Sequence, residues 1–409
     1  MAEKAYYKVL KITDYRNFLI GRFFGVMGIQ IQAVVVGWQI YEITKDPLSL
    51  GLIGLCEIIP SFGISLFAGA IADRVSRKKI ILIAFTILSF CSASLLICSL
   101  NMIPVLRGNT IAIYGIIFVS GLARGFLGAS IPSFMAQLVP KEFYPNTSAL
   151  TGTAWQAAAV TGPFLGGILF RFQGAELAYS VDLGLMICCL FFFSLIGSKP
   201  IPLQTNKETF ISSLTGGFKF VFKNPVLLSA MSLDMFAVLF GGAVALLPIF
   251  ASDILKEGPE GLGLLRASPS VGAAIMGLYL TYNPPRKNAG KILLVSVAGF
   301  GLAMLLFGLS KNFYLSLVIL AFSGCFDCVS VIIRSTIVQT FTPDNMRGRV
   351  ASVSSIFIGS SNELGAFESG VTAKLMGVVP SVIFGACMTL GVVVTTGTLS
   401  KSLRDLDFE

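Results

Sequence analysis

The chain has 409 residues, of which 55% are hydrophobic and only 12% charged, and it carries a net charge of +9; its mean hydropathy is +0.82. A water-soluble chain carries about twice that share of charged residues, so the composition excludes a string of soluble domains and makes lipid the solvent. With no histidine at all, HExxH metal hydrolysis and a Ser-His-Asp triad are excluded too.

A membrane span needs about 20 apolar residues at 1.5 Å rise each. The opening stretch MAEKAYYKVLKITDYRN is polar and basic. The apolar run behind it is too long for the core of a cleaved leader, so it reads as a retained span. In chain order twelve such runs fall at about 16–40, 48–72, 80–100, 110–138, 147–171, 177–197, 226–252, 262–282, 290–310, 312–340, 348–376 and 378–399. The longest polar interruption, 198–225, divides them six and six. The expected fold is therefore an all-α membrane protein of twelve transmembrane helices in two bundles. Residues 1–197 form the first bundle, 198–225 a cytoplasmic linker and 226–409 the second.

The loops between runs are short, so their Lys and Arg bias sets orientation. With the N-terminus in the cytoplasm, that side receives 20 of the 30 bases, among them Arg74, Arg77, Lys78, Lys79, Lys199, Lys223, Arg347 and Arg349. The other side receives only Lys45, Arg107, Arg171, Lys256 and Lys311. The positive charge is thus an orientation signal rather than a nucleic-acid footprint, and both termini are expected in the cytoplasm. All eight cysteines fall inside apolar runs, where cysteine behaves as a small hydrophobe. The CxxC spacing of Cys325 and Cys328 is read as helix packing, so no metal site or cofactor is expected.

The halves also resemble each other. Pro60-Ser-Phe-Gly63 matches Pro269-Ser-Val-Gly272, and at an offset of 203 residues Pro140 falls on Pro343, Gly162 on Gly365 and Gly167 on Gly370. Weak singly, these matches together indicate two duplicated six-helix bundles.

Between the second and third runs lies GAIADRVSRKK, residues 69–79. Gly69, Asp73, Arg74, Arg77, Lys78 and Lys79 fit the loop signature G-x-x-x-D-R-x-G-R-[KR]-[KR], with Ser76 in place of the second glycine. On this motif the chain resembles the major facilitator superfamily. Gly121-Leu-Ala-Arg124-Gly in the fourth run is similar to the family's arginine motif, and Gly162-Pro163-Phe-Leu-Gly166-Gly167 in the fifth is similar to the motif enriched among drug exporters. TPDNMRGRV, ahead of the eleventh run, resembles the macrolide-efflux and siderophore-export branch. The resemblance implies that the 69–79 loop is a cytoplasmic gate latch. Asp73 would sit at the N-terminus of the helix beginning near Gly348, where unpaired N–H groups favour an anion. Arg74 and Arg77 would find acceptors across the bundles. It also implies that runs one, four, seven and ten line a central cavity.

Ionisable residues inside a span are costly and so are functional candidates. Glu57, Arg124, Asp327 and Glu363 fall near mid-span; Arg22 and Asp234 lie nearer the cytoplasm. Arg334 is two helical turns beyond Asp327 on the same face. Glu57 is expected beside Arg124, and Asp234 beside Arg334. Burial favours the neutral form of a carboxyl and a nearby cation the charged form, so Asp327, Glu57, Asp234 and Glu363 are the proton-coupling candidates. Arg22, Gln32, Gln39, Arg124, Trp155, Gln156 and Arg334, with Trp38, are the candidate cavity and substrate residues. Glu368 and Lys374 are read as interfacial.

The expected function is secondary active export of amphipathic organic molecules, drug-like or siderophore-like, driven by proton exchange through alternating access. The partners expected are the lipid bilayer, a small-molecule substrate and protons, with no nucleic acid, for a monomer in the bacterial cytoplasmic (inner) membrane. The chain has no GxxxxGK[ST] loop for ATP. The rival readings are an importer, a ferroportin-like divalent-metal exporter resting on carboxylates and Cys325 or Cys328, and an intramembrane aspartyl enzyme built on Asp234 and Asp327. The half-chain repeat argues against the enzyme.

Overall fold

The computed structural model describes residues 8–72, 75–100, 109–200, 210–285, 287–343 and 346–408; for 65–70, 72, 129 and 210–214 it describes the backbone alone. Helix is the regular structure of the described residues, with no strand among them. Helix is what lipid demands, because it satisfies every backbone N–H and C=O within one segment.

The long helices are α1 (Thr13–Thr44), α2 (Pro47–Ala72), α3 (Arg77–Ser99), α4 (Thr110–Leu138) and α5 (Tyr144–Ser194). After them come α6 (Phe210–Lys223), α7 (Pro225–Gly241), α8 (Pro259–Tyr282) and α9 (Ala289–Leu309). Three more follow, α10 (Phe313–Phe341), α11 (Arg347–Met376) and α12 (Val378–Leu399), then the short α13 (Lys401–Arg404). Asparagine side chains start three of them. Asn109 Oδ1 accepts from the amides of Ile111 and Ala112, Asn224 from Val226 and Leu227, and Asn312 from Leu315. Each meets N–H groups that the first turn leaves unpaired.

Among the described residues, ten helical stretches are long and apolar enough to cross a membrane, against twelve apolar runs in the sequence. Two features account for the difference. The stretch Lys141–Ser194 holds two of the runs, and non-helical backbone at Gln173 and Gly174 separates them. Gly174 sits at φ +66°, a conformation that costs glycine no clash. Helix α11 covers the eleventh run but is serine-rich, and it is not among the ten.

Two further differences concern irregular segments. The 198–225 interruption holds a helix, α6, whose apolar side, Phe218, Phe220 and Val221, packs into a hydrophobic core. The run at 226–252 is not one helix. After α7 the backbone leaves helical geometry at Gly242, passes through short turns at Ala243–Leu246 and Leu247–Ile249, and closes in a π turn over Phe250–Ile254. A glycine pair and Pro248, which lacks an N–H, break the ladder there.

The chain packs as two compact units. Unit 1 comprises Met1–Ile43, Ile59–Lys207 and Gly258–Gly263; unit 2 comprises Thr44–Ile58, Glu208–Glu257 and Leu264–Glu409. Each therefore includes one short piece whose sequence neighbours belong to the other. The core of unit 1 is aromatic, with Phe18 edge-on to Phe193 at 5.8 Å and Phe85 stacked on Phe193 at 5.4 Å. The core of unit 2 is aliphatic, built on Leu227, Leu233, Leu293, Ile333, Ile337 and Val353. Large apolar side chains also point outward, such as Phe90 at 70% exposure and Leu399 at 80%, as helices surrounded by hydrocarbon require.

Candidate functional site

In unit 2 three intramembrane charges, Asp234, Asp327 and Arg334, gather at one place. Helix α10 carries Asp327, Ser330 and Arg334 at three- and four-residue spacing, which puts them on one face. Arg334 Nη1 forms an ion pair with Asp234 Oδ2 of α7, and its Nε donates to Ser330 Oγ at 3.2 Å. Asp234 is buried, and the Arg334 side chain is only 12% exposed. Asp327 lies within electrostatic range of both. Asp234, Ser296, Phe300, Phe326, Asp327 and Ser330 border a small cavity with about 10 Å³ of space for a water centre, room for about one molecule. Two carboxyls thus share one guanidinium. The group is neutral with one proton bound and carries a single negative charge without it.

Unit 1 has its own polar interior. Arg124 of α4 donates from Nη2 to Gln32 Oε1 at 3.3 Å, and Gln32 is fully buried on α1. Gln39 Oε1 accepts from Tyr179 Oη at 2.8 Å. Trp38 is buried and donates from Nε1 to Glu42 at 2.6 Å. Arg22, also on α1, is largely buried, and its Nε has no hydrogen-bond partner among the described residues. Trp155 on α5 is 44% exposed, and Gln156 beside it is half-buried. Glu57 lies on the part of α2 that belongs to unit 2, whereas Arg124 belongs to unit 1.

The two exchanged pieces dock in the same way. In unit 2, Gly51 of α2 crosses Gly370 of α11 so closely that a Cβ on Gly51 would lie 3.1 Å from Gly370 Cα. One turn on, a Cβ on Gly54 would meet Glu363 O at 2.9 Å. Asp46 Oδ1, just ahead of α2, pairs with Lys374 Nζ at 2.8 Å. In unit 1, a Cβ on Gly167 of α5 would lie 3.1 Å from Gly263 Cα of α8, and Glu260 Oε1 pairs with Arg171 Nη1 at 2.6 Å. Gly167 and Gly370 are 203 residues apart, and so are Arg171 and Lys374; Gly51 and Gly263 are 212 apart. The exporter-type motif is therefore a packing face. Gly162 and Gly166 abut α1 at Met27 and Ile31, Pro163 lies buried between them, and Gly167 abuts the start of α8.

Of the 69–79 loop, Asp73 and Arg74 lie outside the described residues, and Gly69 is described by its helical backbone alone. Arg77 Nη1 donates to Ser133 O at 2.9 Å. Lys78 Nζ donates to Ser194 O at 2.9 Å and to Ile196 O. The Arg77 bond to Ser133 lies inside unit 1. Carbonyls at helix C-termini lack intrahelical donors and draw cations, and α5 ends at Ser194 beside Lys78.

One intramembrane acid escaped the sequence reading. Asp182 lies on the second half of α5, fully buried. It sits inside the run at 177–197, so the rule that singled out Asp327 selects it as well. Among the described residues, no group of three or more Cys, Asp or Glu is arranged to hold a metal ion.

Known proteins share both the sequence pattern and the fold. Residues 5–407 match a family described as transmembrane secretion effector, a branch of the major facilitator superfamily. The enterobactin exporter EntS of Shigella boydii serotype 18 is 29% identical over 342 residues, covering 82% of this chain and 79% of the relative. In fold, the chain is similar to a D-xylose-proton symporter, with TM-score 0.74, 12% identity and coverage of 98% and 100%. It is likewise similar to the nucleoside transporter NupG, with TM-score 0.69, 16% identity and coverage of 95% and 99%.

Proposed function

Because the chain belongs to the transmembrane secretion effectors of the major facilitator superfamily, we propose that it is a proton-driven exporter of amphipathic organic molecules of the siderophore or drug class. The chain is a membrane transporter and not an enzyme. In this reading it crosses a bacterial cytoplasmic membrane twelve times as a monomer, in two six-helix bundles at 1–197 and 226–409, with both termini inside. The exporters it is similar to move enterobactin, a relationship that supports the siderophore assignment.

The observation that carries proton coupling is the cluster of Asp234, Asp327 and Arg334. Two carboxyls around one guanidinium, beside space for a water, form a site that can exchange one proton at small electrostatic cost. Glu363, which meets α2 at Gly54, and Glu57 are the further proton-coupling candidates. With the termini cytoplasmic, both glycine crossings and their ion pairs lie toward the outer face. Arg124, Gln32 and Gln39, with Arg22, Trp155 and Gln156, supply the polar and aromatic contacts that a partly polar ligand needs.

Proteoliposomes loaded with enterobactin, or with an amphipathic cationic dye as second probe, test this under an imposed pH gradient. The parent should show efflux that accelerates with the gradient. Asp327→Asn and Asp234→Asn should lose the acceleration while keeping downhill exchange. Gradient-driven efflux at the parental rate in both variants would refute the proton assignment.

A further inference from the structure

Asp182 is the most enclosed acid of the described chain, and nothing so far has given it work. Its residue exposure is 0%. Neither carboxyl oxygen has a hydrogen-bond partner among the described residues. Oδ1 rests against the backbone of α1 at Gly28, where a Cβ would come within 2.8 Å of it. On the other side, α3 presents Ser92 and Cys91, and α4 presents Arg124. Tyr179, on the same helix, is the remaining titratable neighbour. Two of these groups are already engaged. The Ser92 hydroxyl donates to Leu88 O at 3.1 Å, and Tyr179 Oη donates to Gln39. Arg124 directs Nη2 to Gln32, one turn along α1 from Gly28.

A carboxylate there has no donor among the described residues to stabilise its charge, and an uncompensated buried charge is costly. Among the described residues Arg124 is the cation acting on it, and Arg124 Nη2 donates to Gln32. We infer that Asp182 is a second proton-binding site, in unit 1. It holds its proton while Arg124 is bonded to Gln32, and it yields that proton to water when Arg124 turns toward the carboxylate. The step is a simple ionisation: the carboxyl O–H breaks, water takes the proton, and the guanidinium balances the charge left behind. Ionisation of Asp182 is therefore coupled to the movement of Arg124 from Gln32 toward the carboxylate. One proton site in each unit would then bias the polar side chains that meet a ligand. The inference deepens the transport reading and rests on it only for its biological use.

The test needs neither substrate nor gradient. Infrared difference spectra of the purified full chain in lipid nanodiscs, taken as pH rises from about 5 to about 9, should show a protonated-carboxyl band that fades. That band should be missing from Asp182→Asn. In Arg124→Gln, which removes the balancing cation, the band should persist to a pH at least about one unit higher, a tenfold lower proton concentration. If Asp182→Asn does not fold, Ser92→Ala identifies the band by shifting its frequency, because the Ser92 hydroxyl interacts with the carboxyl. A parent spectrum without a band sensitive to Asp182 or Ser92, or a midpoint that Arg124→Gln leaves in place, overturns the inference. A titrating Asp182 in a parent that moves no protons with its cargo would instead sink the transport reading and leave the site standing.

Discussion

Removing Arg334 should cost more than removing Asp234, although the two are partners in one ion pair. The reason is the third charge. In Arg334→Gln, two carboxyls remain, Asp234 buried and Asp327 within range of it, with no cation between them. Breaking a buried pair by deleting one partner typically costs about 3–5 kcal/mol, because an uncompensated charge is left in a medium that cannot solvate it. In Asp234→Asn, Arg334 keeps Ser330 and has Asp327 to balance it. What is lost there is about one charge-assisted hydrogen bond, on the order of 1.5–3 kcal/mol, in part recovered by the asparagine oxygen. The double variant Asp234→Asn/Arg334→Gln removes one charge of each sign and should be no less stable than Arg334→Gln alone. Thermal unfolding of the detergent-solubilised protein, followed by the loss of monodisperse material, gives the ranking. Unfolding of a membrane protein is seldom reversible, so the comparison is of midpoints at one heating rate. If Asp234→Asn melts at or below Arg334→Gln, Asp327 does not share the guanidinium, and the three-charge argument fails.

The glycine crossings offer further checks. Gly370→Leu places a Cβ 2.8 Å from Gly51 Cα and 3.1 Å from Pro47 O, both backbone atoms that cannot turn aside. The piece at 44–58 should be displaced and efflux should fall at least tenfold, measurable in the loaded proteoliposomes; efflux at the parental rate would mean the crossing is dispensable. The ion pairs beside the crossings are a different matter. Lys374 and Arg171 are more than half exposed, and exposed pairs contribute about 0–1 kcal/mol. Lys374→Ala or Arg171→Ala should therefore change efflux by less than about fivefold and leave the melting midpoint nearly unmoved. The charge exchange Asp46→Lys/Lys374→Asp should restore what either single change loses. Asn312→Ala, which strips α10 of its cap, should lower stability by about 1 kcal/mol without altering the pH dependence of efflux.

Much of this molecule can be read along the chain. Hydropathy located the helices, because a segment in hydrocarbon must be apolar over about 20 residues wherever its neighbours lie. The run at 348–376 could be read from its length and surroundings, yet α11 is too rich in serine and glycine to be recognised by apolarity alone. The pairing of Asp234 with Arg334 was legible because both are ionisable residues at similar depth, and such groups seek each other in oil. Asp182 carries the same signal within its run, and it takes on meaning only when both its oxygens prove to lack a donor.

Composition and periodicity alone thus determined a helical chain in lipid, with acids and bases set where they are expensive. Those are local properties, read from each stretch without reference to any other. Which stretch belongs to which unit was decided only by the folded molecule. The piece at 44–58 joins unit 2, and 258–263 joins unit 1, because a glycine on each meets a glycine of a helix more than 90 residues distant in sequence. The hydrogen bonds of Arg77 and Lys78 to carbonyls inside unit 1 were settled in the same way. Close contact depends on the faces that two helices turn to each other, and no count of residues along a single helix contains that information.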